Sequence, residues 1–101
     1  MEKNIKISML LEIYGNLLTE RQSDIADLYY NQNLSLSEIA DEINITRQAV
    51  RKSLVEAEKN LFEYEEKLRF LEKSIQRRNK IDKILTLIND DKIAKLIEEL
   101  K

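Results

Sequence analysis

The residues best suited to chemistry in this chain form a short run of hydrogen-bond donors: Thr46, Arg47, Gln48, Arg51 and Lys52. An arginine can pair bidentately with guanine, a glutamine with adenine, and a lysine with a phosphate. The last four share one face of a helix that begins after Thr46, turned away from Val50 and Leu54. We therefore predict that this helix contacts nucleic acid. The alternative is an ordinary solvated helix face.

Two capping boxes precede this run and mark helix starts. Thr19 is followed three residues later by Gln22, and Ser35 by Glu38. In such a pair each side chain bonds the backbone N–H of the other residue. The caps predict two helices, Glu20 to Gln32 and Leu36 to Ile43.

A tight turn connects the second of these helices to the donor run. Asn44 can adopt the left-handed conformation that ends a helix, Ile45 would fill the corner, and Thr46 can cap the next helix. The small Ala40 allows two helix backbones to approach closely. This arrangement predicts a helix-turn-helix, in which the second helix enters the major groove of DNA.

The residues of this region resemble region 4 of bacterial sigma factors, the promoter-recognition domain. The similar runs are LTERQ (Leu18 to Gln22), LYY (Leu28 to Tyr30), LSLSEIA (Leu34 to Ala40) and ITRQAV (Ile45 to Val50). Asn44 stands where sigma-like domains more often have glycine. We also expect no segment before Met1 that could bind polymerase core or melt a promoter. We expect a protein that is not itself a sigma factor.

The whole chain resembles the YlxM family of small helix-turn-helix proteins, whose gene typically neighbours those of the signal recognition particle GTPase or its receptor. The resemblance implies a bacterial cytosolic protein that regulates, or takes part in, the signal recognition particle pathway. Components of that particle are therefore among the expected partners.

Composition predicts an all-α fold, because the chain has no proline, a single glycine and apolar residues at helical spacing throughout. The expected architecture is a sigma region 4-like helix-turn-helix head with a long heptad-bearing helix and two short C-terminal helices. The first helix is expected over Lys3 to Leu17. It would pack on the next helix through a stripe that repeats every four residues and is widened by two leucines: Ile5, Met9, Ile13 and Leu17, with Leu10 and Leu18.

The long helix is predicted to run unbroken from Arg47 to about Arg78. A heptad seam follows it: Leu54, Leu61, Tyr64, Leu68, Leu71 and Ile75. Such a helix would be about 45 Å long, more than a small head can cover, so a partner must bury the seam. The candidates are the amphipathic tail segments, Ile81 to Ile88 and Lys92 to Leu100, or a second subunit.

We predict a helix-turn-helix head over residues 1–60, a dimerisation region over 61–101, and a homodimer.

Several classes of function are excluded by what the chain lacks. Without cysteine there are no disulfides or thiolates, and without histidine the commonest general base and metal ligand is missing. We expect no enzyme activity, cofactor, metal or small-molecule substrate. No run is apolar enough to span a bilayer, and no signal peptide is present, so a cytoplasmic protein without a membrane partner is expected.

Charge is unevenly distributed along the chain. Between Glu20 and Ile45 six acids face a single base, Arg21, whereas Lys67 to Lys83 carries seven bases against two acids. Within the second stretch we identify a possible partner surface, formed by Arg77, Arg78 and Lys80. In the alternative interpretation these cations only stabilise the C-terminal end of a helix, whose dipole attracts positive charge.

The expected function is that of a regulatory protein that binds double-stranded DNA. The alternative is an accessory protein that binds the signal recognition particle GTPase or its RNA, with the helix-turn-helix as scaffold.

Overall fold

The computed structural model describes all residues from 1 to 101, which form six α-helices and no strands. The predicted all-α class is confirmed. The helices are α1 (Lys3–Tyr14), α2 (Glu20–Tyr30), α3 (Leu36–Ile43), α4 (Arg47–Leu68), α5 (Phe70–Thr86) and α6 (Asp91–Glu98), with a 3-10 turn over Gly15–Leu17. They divide into two compact units, Met1–Leu68 and Arg69–Lys101.

The first unit, which we call the head, packs α1, α2 and α3 against α4. Its core contains mainly Ile and Leu side chains that are less than a tenth exposed: Ile7, Leu10, Leu11, Leu18, Ile25, Ile39, Val50, Leu54 and Leu61. The head extends beyond residue 60 because Leu61 is fully buried and the Tyr64 hydroxyl donates a hydrogen bond to the Leu17 carbonyl at 3.2 Å.

Helix α1 buries a different face from the one that the sequence indicated. The buried residues are Ile7, Leu10, Leu11 and Tyr14. Of the predicted stripe only Leu10 and Leu18 are buried, whereas its four other residues lie outside, with Ile5 49%, Met9 37%, Ile13 38% and Leu17 56% exposed. The prediction was wrong because α1 is apolar around most of its circumference, so periodicity alone offers two stripes of similar strength. The helix also ends at Tyr14, and a 3-10 turn carries the chain on to Leu17.

The long helix is interrupted at Arg69, so the prediction of one unbroken helix from Arg47 to Arg78 was wrong. Arg69 has a left-handed backbone (φ 55°, ψ 30°). One left-handed residue stops the i to i−4 ladder, and the Arg69 carbonyl starts the next one by accepting from Lys73 N at 3.0 Å. No glycine, asparagine or proline marks this break in the sequence.

The second unit, which we call the tail, contains α5 and α6. Residues Ile81 to Thr86 continue α5 and are not a separate short helix, whereas α6 corresponds to the predicted Lys92 to Leu100 segment. Asp90 caps α6, since its Oδ1 accepts from Lys92 N at 2.8 Å and from Ile93 N at 3.1 Å. The Lys101 ammonium pairs with Asp82 at 2.7 Å, and this carboxylate raises the pKa of Lys101 above its ordinary value.

Candidate nucleic-acid interface

Helix α3 begins with the capping box that the sequence predicted. Ser35 Oγ accepts from Glu38 N at 3.1 Å, and Glu38 Oε1 accepts from Ser35 N at 3.0 Å. The bond from the Ser35 backbone, followed by the contribution of its side chain, lowers the pKa of the Glu38 carboxyl below its ordinary value. The same arrangement starts α2, where Thr19 pairs with Gln22. Both capped helices, α2 and α3, therefore begin at the residues that the sequence predicted.

The corner between α3 and α4 is made by Asn44 in the left-handed conformation (φ 58°, ψ 49°). Its N–H and that of Ile45 both point back to the Ala40 carbonyl, with Ile45 N at 3.1 Å from the oxygen. This pairing satisfies an end-of-helix carbonyl that would otherwise lack a donor. Ile45 is half-buried at the corner, as the sequence predicted.

Helix α4 starts immediately after this corner. Thr46 Oγ1 accepts from Ala49 N at 3.0 Å, and the Thr46 carbonyl accepts from Val50 N at 3.1 Å. Because Val50 and Leu54 turn into the core, Arg51 and Lys52 between them are directed outward. Thr46 thus has a defined structural role at this position, that of a helix cap.

The exposed residues of this first part of α4 are Arg47, Gln48, Arg51 and Lys52, and we call them the basic face of α4. None of its three cations takes part in an ion pair within 4 Å. Two shallow hollows of about 350 and 320 Å³ lie along it, and Gln48 and Arg51 line both. The face is therefore open to an anionic ligand.

Two apolar residues at this face were missed from the sequence. Val55 is 55% exposed and lines one hollow with Gln48, Arg51, Lys52 and the carboxylate Glu56, while Leu36, from the start of α3, lines the other. Val55 follows Arg51 by four positions and Gln48 by seven, so helical spacing could have identified it. An exposed methyl group beside a glutamine can contact the 5-methyl group of thymine.

Acidic side chains also lie close to this face in sequence. Glu38, Asp41 and Glu42 are exposed on α3. Glu38 takes part in the capping box, where its negative charge stabilises the start of α3. Carboxylates near a phosphate backbone repel it, so these three side chains, and Glu56 on α4, oppose a phosphate at their own positions.

Other contacts hold α4 in place within the head. The Tyr30 hydroxyl donates a hydrogen bond to Glu58 Oε1, and Lys3 pairs with Glu58 Oε2 at 3.4 Å. The Tyr14 hydroxyl donates to Glu65 at 2.7 Å. Helices α1 and α2 are thereby connected to α4 at its middle and far end. The basic face is presented by a helix that is fixed along most of its length.

The residues of the predicted oligomerisation seam do not share one environment. Leu54 and Leu61 are buried, and they belong to the core of the head. Tyr64 is half-buried and Leu68 is 40% exposed, both before the break at Arg69. Leu71 is buried and Ile75 half-buried, both in α5. Because the helix is interrupted, these six residues do not form one continuous heptad face.

The predicted basic partner surface lies on α5, where Arg77, Arg78 and Lys80 are all exposed. At about 100° per residue, Arg77 and Lys80 are about 60° apart around the helix, while Arg78 is about 160° from Lys80. Lys73 joins Arg77 and Lys80 on their side. The tail therefore has a basic face formed by Lys73, Arg77 and Lys80, and Arg78 is directed elsewhere.

A capped helix, a left-handed corner and a second capped helix that exposes polar donors define a helix-turn-helix protein. The family that matches residues 1–100 of the chain is UPF0122, described as "Putative helix-turn-helix protein, YlxM / p13 like". The chain belongs to this family, as its resemblance to YlxM proteins indicated.

Similar proteins carry the same family name. A UPF0122 protein of Clostridium kluyveri is 45% identical over 105 residues, which cover 100% of this chain and 94% of the relative. One of Desulforamulus reducens is 44% identical over 88% of this chain and 76% of the relative. One of Clostridium perfringens is 40% identical over 98% of this chain and 93% of the relative. No helix of the chain has the length and apolar character needed to cross a membrane.

Proposed function

We propose that this protein is a non-enzymatic regulator that binds double-stranded DNA by placing the start of α4 in the major groove. The observation that carries the proposal is the basic face of α4, which begins at a capped helix N-terminus and has no ion pair among its three cations. Helix N-termini also favour phosphate groups through their free N–H groups.

The roles of the individual residues follow from their chemistry. Arg47 and Arg51 are one helical turn apart, so both can meet the same groove, one at a base edge and one at a phosphate. Gln48 suits adenine and Lys52 suits a phosphate. The net charge of the whole protein is −2, so binding depends on this local face and not on a general positive field.

The experiment is a selection of duplexes from a random-sequence library, followed by affinity measurement with variants. We expect Arg47→Ala/Arg51→Ala to weaken binding to the selected duplex by about a hundredfold, since a base contact contributes about 1–3 kcal/mol and a phosphate contact is lost with it. The matched control is Arg21→Ala/Lys59→Ala, which removes two exposed cations elsewhere in the head. Equal losses in both variants, or none in the first, would contradict the assignment.

A second candidate function is that of an accessory protein for the signal recognition particle, acting through the tail. The observation that favours it is the basic face of α5, together with the tail's 9 Lys and Arg against 6 Asp and Glu. Such a face can bind RNA phosphates or an acidic protein surface. The resemblance to YlxM proteins implies that pathway.

A pull-down from bacterial lysate, with and without nuclease treatment, separates the two candidates. If the tail binds the particle, Lys73→Ala/Arg77→Ala/Lys80→Ala should abolish its recovery while binding of the head to the selected duplex is retained. Full recovery of the particle with this triple variant would exclude the proposed surface.

A further inference from the structure

The head leaves a second apolar stripe unburied. Ile5, Met9, Ile13 and Leu17, which we call the outer stripe of α1, recur every four residues and are between 37% and 56% exposed. Ordered apolar patches of this kind on a small protein commonly mark interaction sites. Sequence periodicity predicted that the outer stripe is buried, but in the folded chain it is exposed. Such disagreements are expected at functional sites.

A groove of about 740 Å³ runs beside this stripe, between α1 and α2. Ile5 and Met9 line it on the α1 side, and Asp24 and Asp27 line it on the α2 side, with Glu12 also present. No lysine or arginine lines the groove, and neither Glu12 nor Asp24 takes part in an ion pair. The groove therefore suits an occupant that is both apolar and basic.

Helix α5 of the tail has these properties along one face. Lys73, Arg77 and Lys80 are exposed and take part in no ion pair, and Ile84 and Leu87 continue the same face at 44% and 77% exposure. From Lys73 to Ile84 the face is about 16 Å long. The groove, lined from Asn4 to Asn16 on the α1 side, is about 18 Å long by the same measure.

The charges of the two units are of opposite sign. The head carries 13 Asp and Glu against 8 Lys and Arg, and the tail carries 6 against 9. Opposite charge on the two surfaces speeds their encounter and fixes their orientation, and it disfavours contacts between two heads or two tails.

We propose that the groove between α1 and α2 binds the basic face of α5 from a second copy of this chain. Ile84 and Leu87 contact the outer stripe of α1, and Arg77 and Lys80 approach Asp24 and Glu12. Each chain has one groove and one basic helix, so two copies can exchange them reciprocally in a twofold dimer. In such a dimer both grooves and both basic faces of α5 are buried. No groove is then left for a third copy.

Reversing the charge of either surface tests this pairing by sedimentation equilibrium. Glu12→Lys/Asp24→Lys makes the groove basic, and Arg77→Glu/Lys80→Glu makes the helix acidic. Each variant alone should raise the dimer Kd by about tenfold or more, because like charges then face each other. An equimolar mixture of the two should associate again, since each groove now meets a helix of opposite charge.

The matched control is Asp41→Lys/Glu42→Lys, which changes the net charge equally at exposed sites on α3, outside the groove. Its dimer Kd should stay near that of the wild type. Circular dichroism of every variant checks that the helices persist. The proposal is overturned if the wild type remains monomeric at all concentrations, if both variants dimerise like the wild type, or if their mixture fails to associate.

Because the protein contains no cysteine, disulfide trapping can identify the chain that fills the groove. In Met9→Cys/Ile84→Cys, oxidation should produce a disulfide between two chains, visible as a dimer on a non-reducing gel. Val55→Cys/Ile84→Cys, with the first cysteine on α4 beside its basic face and outside the groove, should form that dimer far more slowly. A disulfide within one chain at every concentration would show that the groove takes its own tail, which contradicts the proposal.

Discussion

The Tyr14 hydroxyl donates a 2.7 Å hydrogen bond to Glu65 Oε1, joining the first helix of the chain to the last turn of α4 across 51 positions of sequence. Tyr14 is only 1% exposed, so its hydroxyl is bonded in a largely dehydrated setting. Together with the Tyr64 bond to the Leu17 carbonyl, it holds the far half of α4 within the head.

Removing that hydroxyl should destabilise the head. We expect Tyr14→Phe to lower the free energy of unfolding by about 1–2 kcal/mol, because a half-buried carboxylate then loses a donor. Tyr29→Phe is the matched control, since the Tyr29 hydroxyl has no hydrogen bond and only its ring contacts Tyr30. Urea unfolding followed by circular dichroism measures both. Equal stability of Tyr14→Phe and Tyr29→Phe would contradict a stabilising Tyr14 bond.

Two leucines of the predicted seam should respond differently to truncation. Leu61 is fully buried in the head, so Leu61→Ala should cost about 2–5 kcal/mol. Leu68, one heptad later, is 40% exposed, and Leu68→Ala should cost less than about 1 kcal/mol. The same unfolding measurement compares them. Similar large costs at both positions would instead indicate a coiled coil along the whole seam.

The corner residue Asn44 should tolerate glycine better than alanine. Its φ of 58° is unfavourable for residues with a Cβ, so Asn44→Ala should cost about 1 kcal/mol, while Asn44→Gly should stay within about 0.5 kcal/mol of the wild type. Asn60→Ala, within α4, is a control at ordinary helical backbone and should not destabilise. Thermal unfolding gives the order, and the corner assignment fails if alanine and glycine are equivalent at position 44.

The Glu38 cap should make stability fall in acid. Since folding lowers the pKa of Glu38, its contribution is present above the ordinary carboxyl pKa of the unfolded chain and is lost as pH falls through the lower value in the folded protein. We expect Glu38→Gln to show a weaker loss of stability than the wild type between neutral pH and about pH 3. Urea midpoints across this range measure it. Glu42→Gln, on the same helix but outside the capping box, should follow the wild type.

Short-range signals were sufficient to predict the helix-turn-helix. Each of its caps is a hydrogen bond between residues at most four positions apart: Ser35 with Glu38, Asn44 with Ala40, and Thr46 with Ala49. The sequence alone therefore defined where α3 starts, where it ends and where α4 starts. The outward direction of Arg47, Gln48, Arg51 and Lys52 followed from the helical period once Val50 and Leu54 were placed inside. The all-α class likewise followed from composition and spacing.

Other features depended on contacts between distant residues, which only the tertiary structure decided. The sequence gives α1 two apolar stripes, and the choice between them is made by α2 and α4, which pack on Ile7, Leu10 and Tyr14 and leave Met9 outside. Arg69 bears no local signal for a left-handed backbone, a conformation that costs a residue with a Cβ about 1–2 kcal/mol, so the sequence did not predict the break. Local pattern determined the helix-turn-helix, and long-range packing determined which surfaces of the head are exposed.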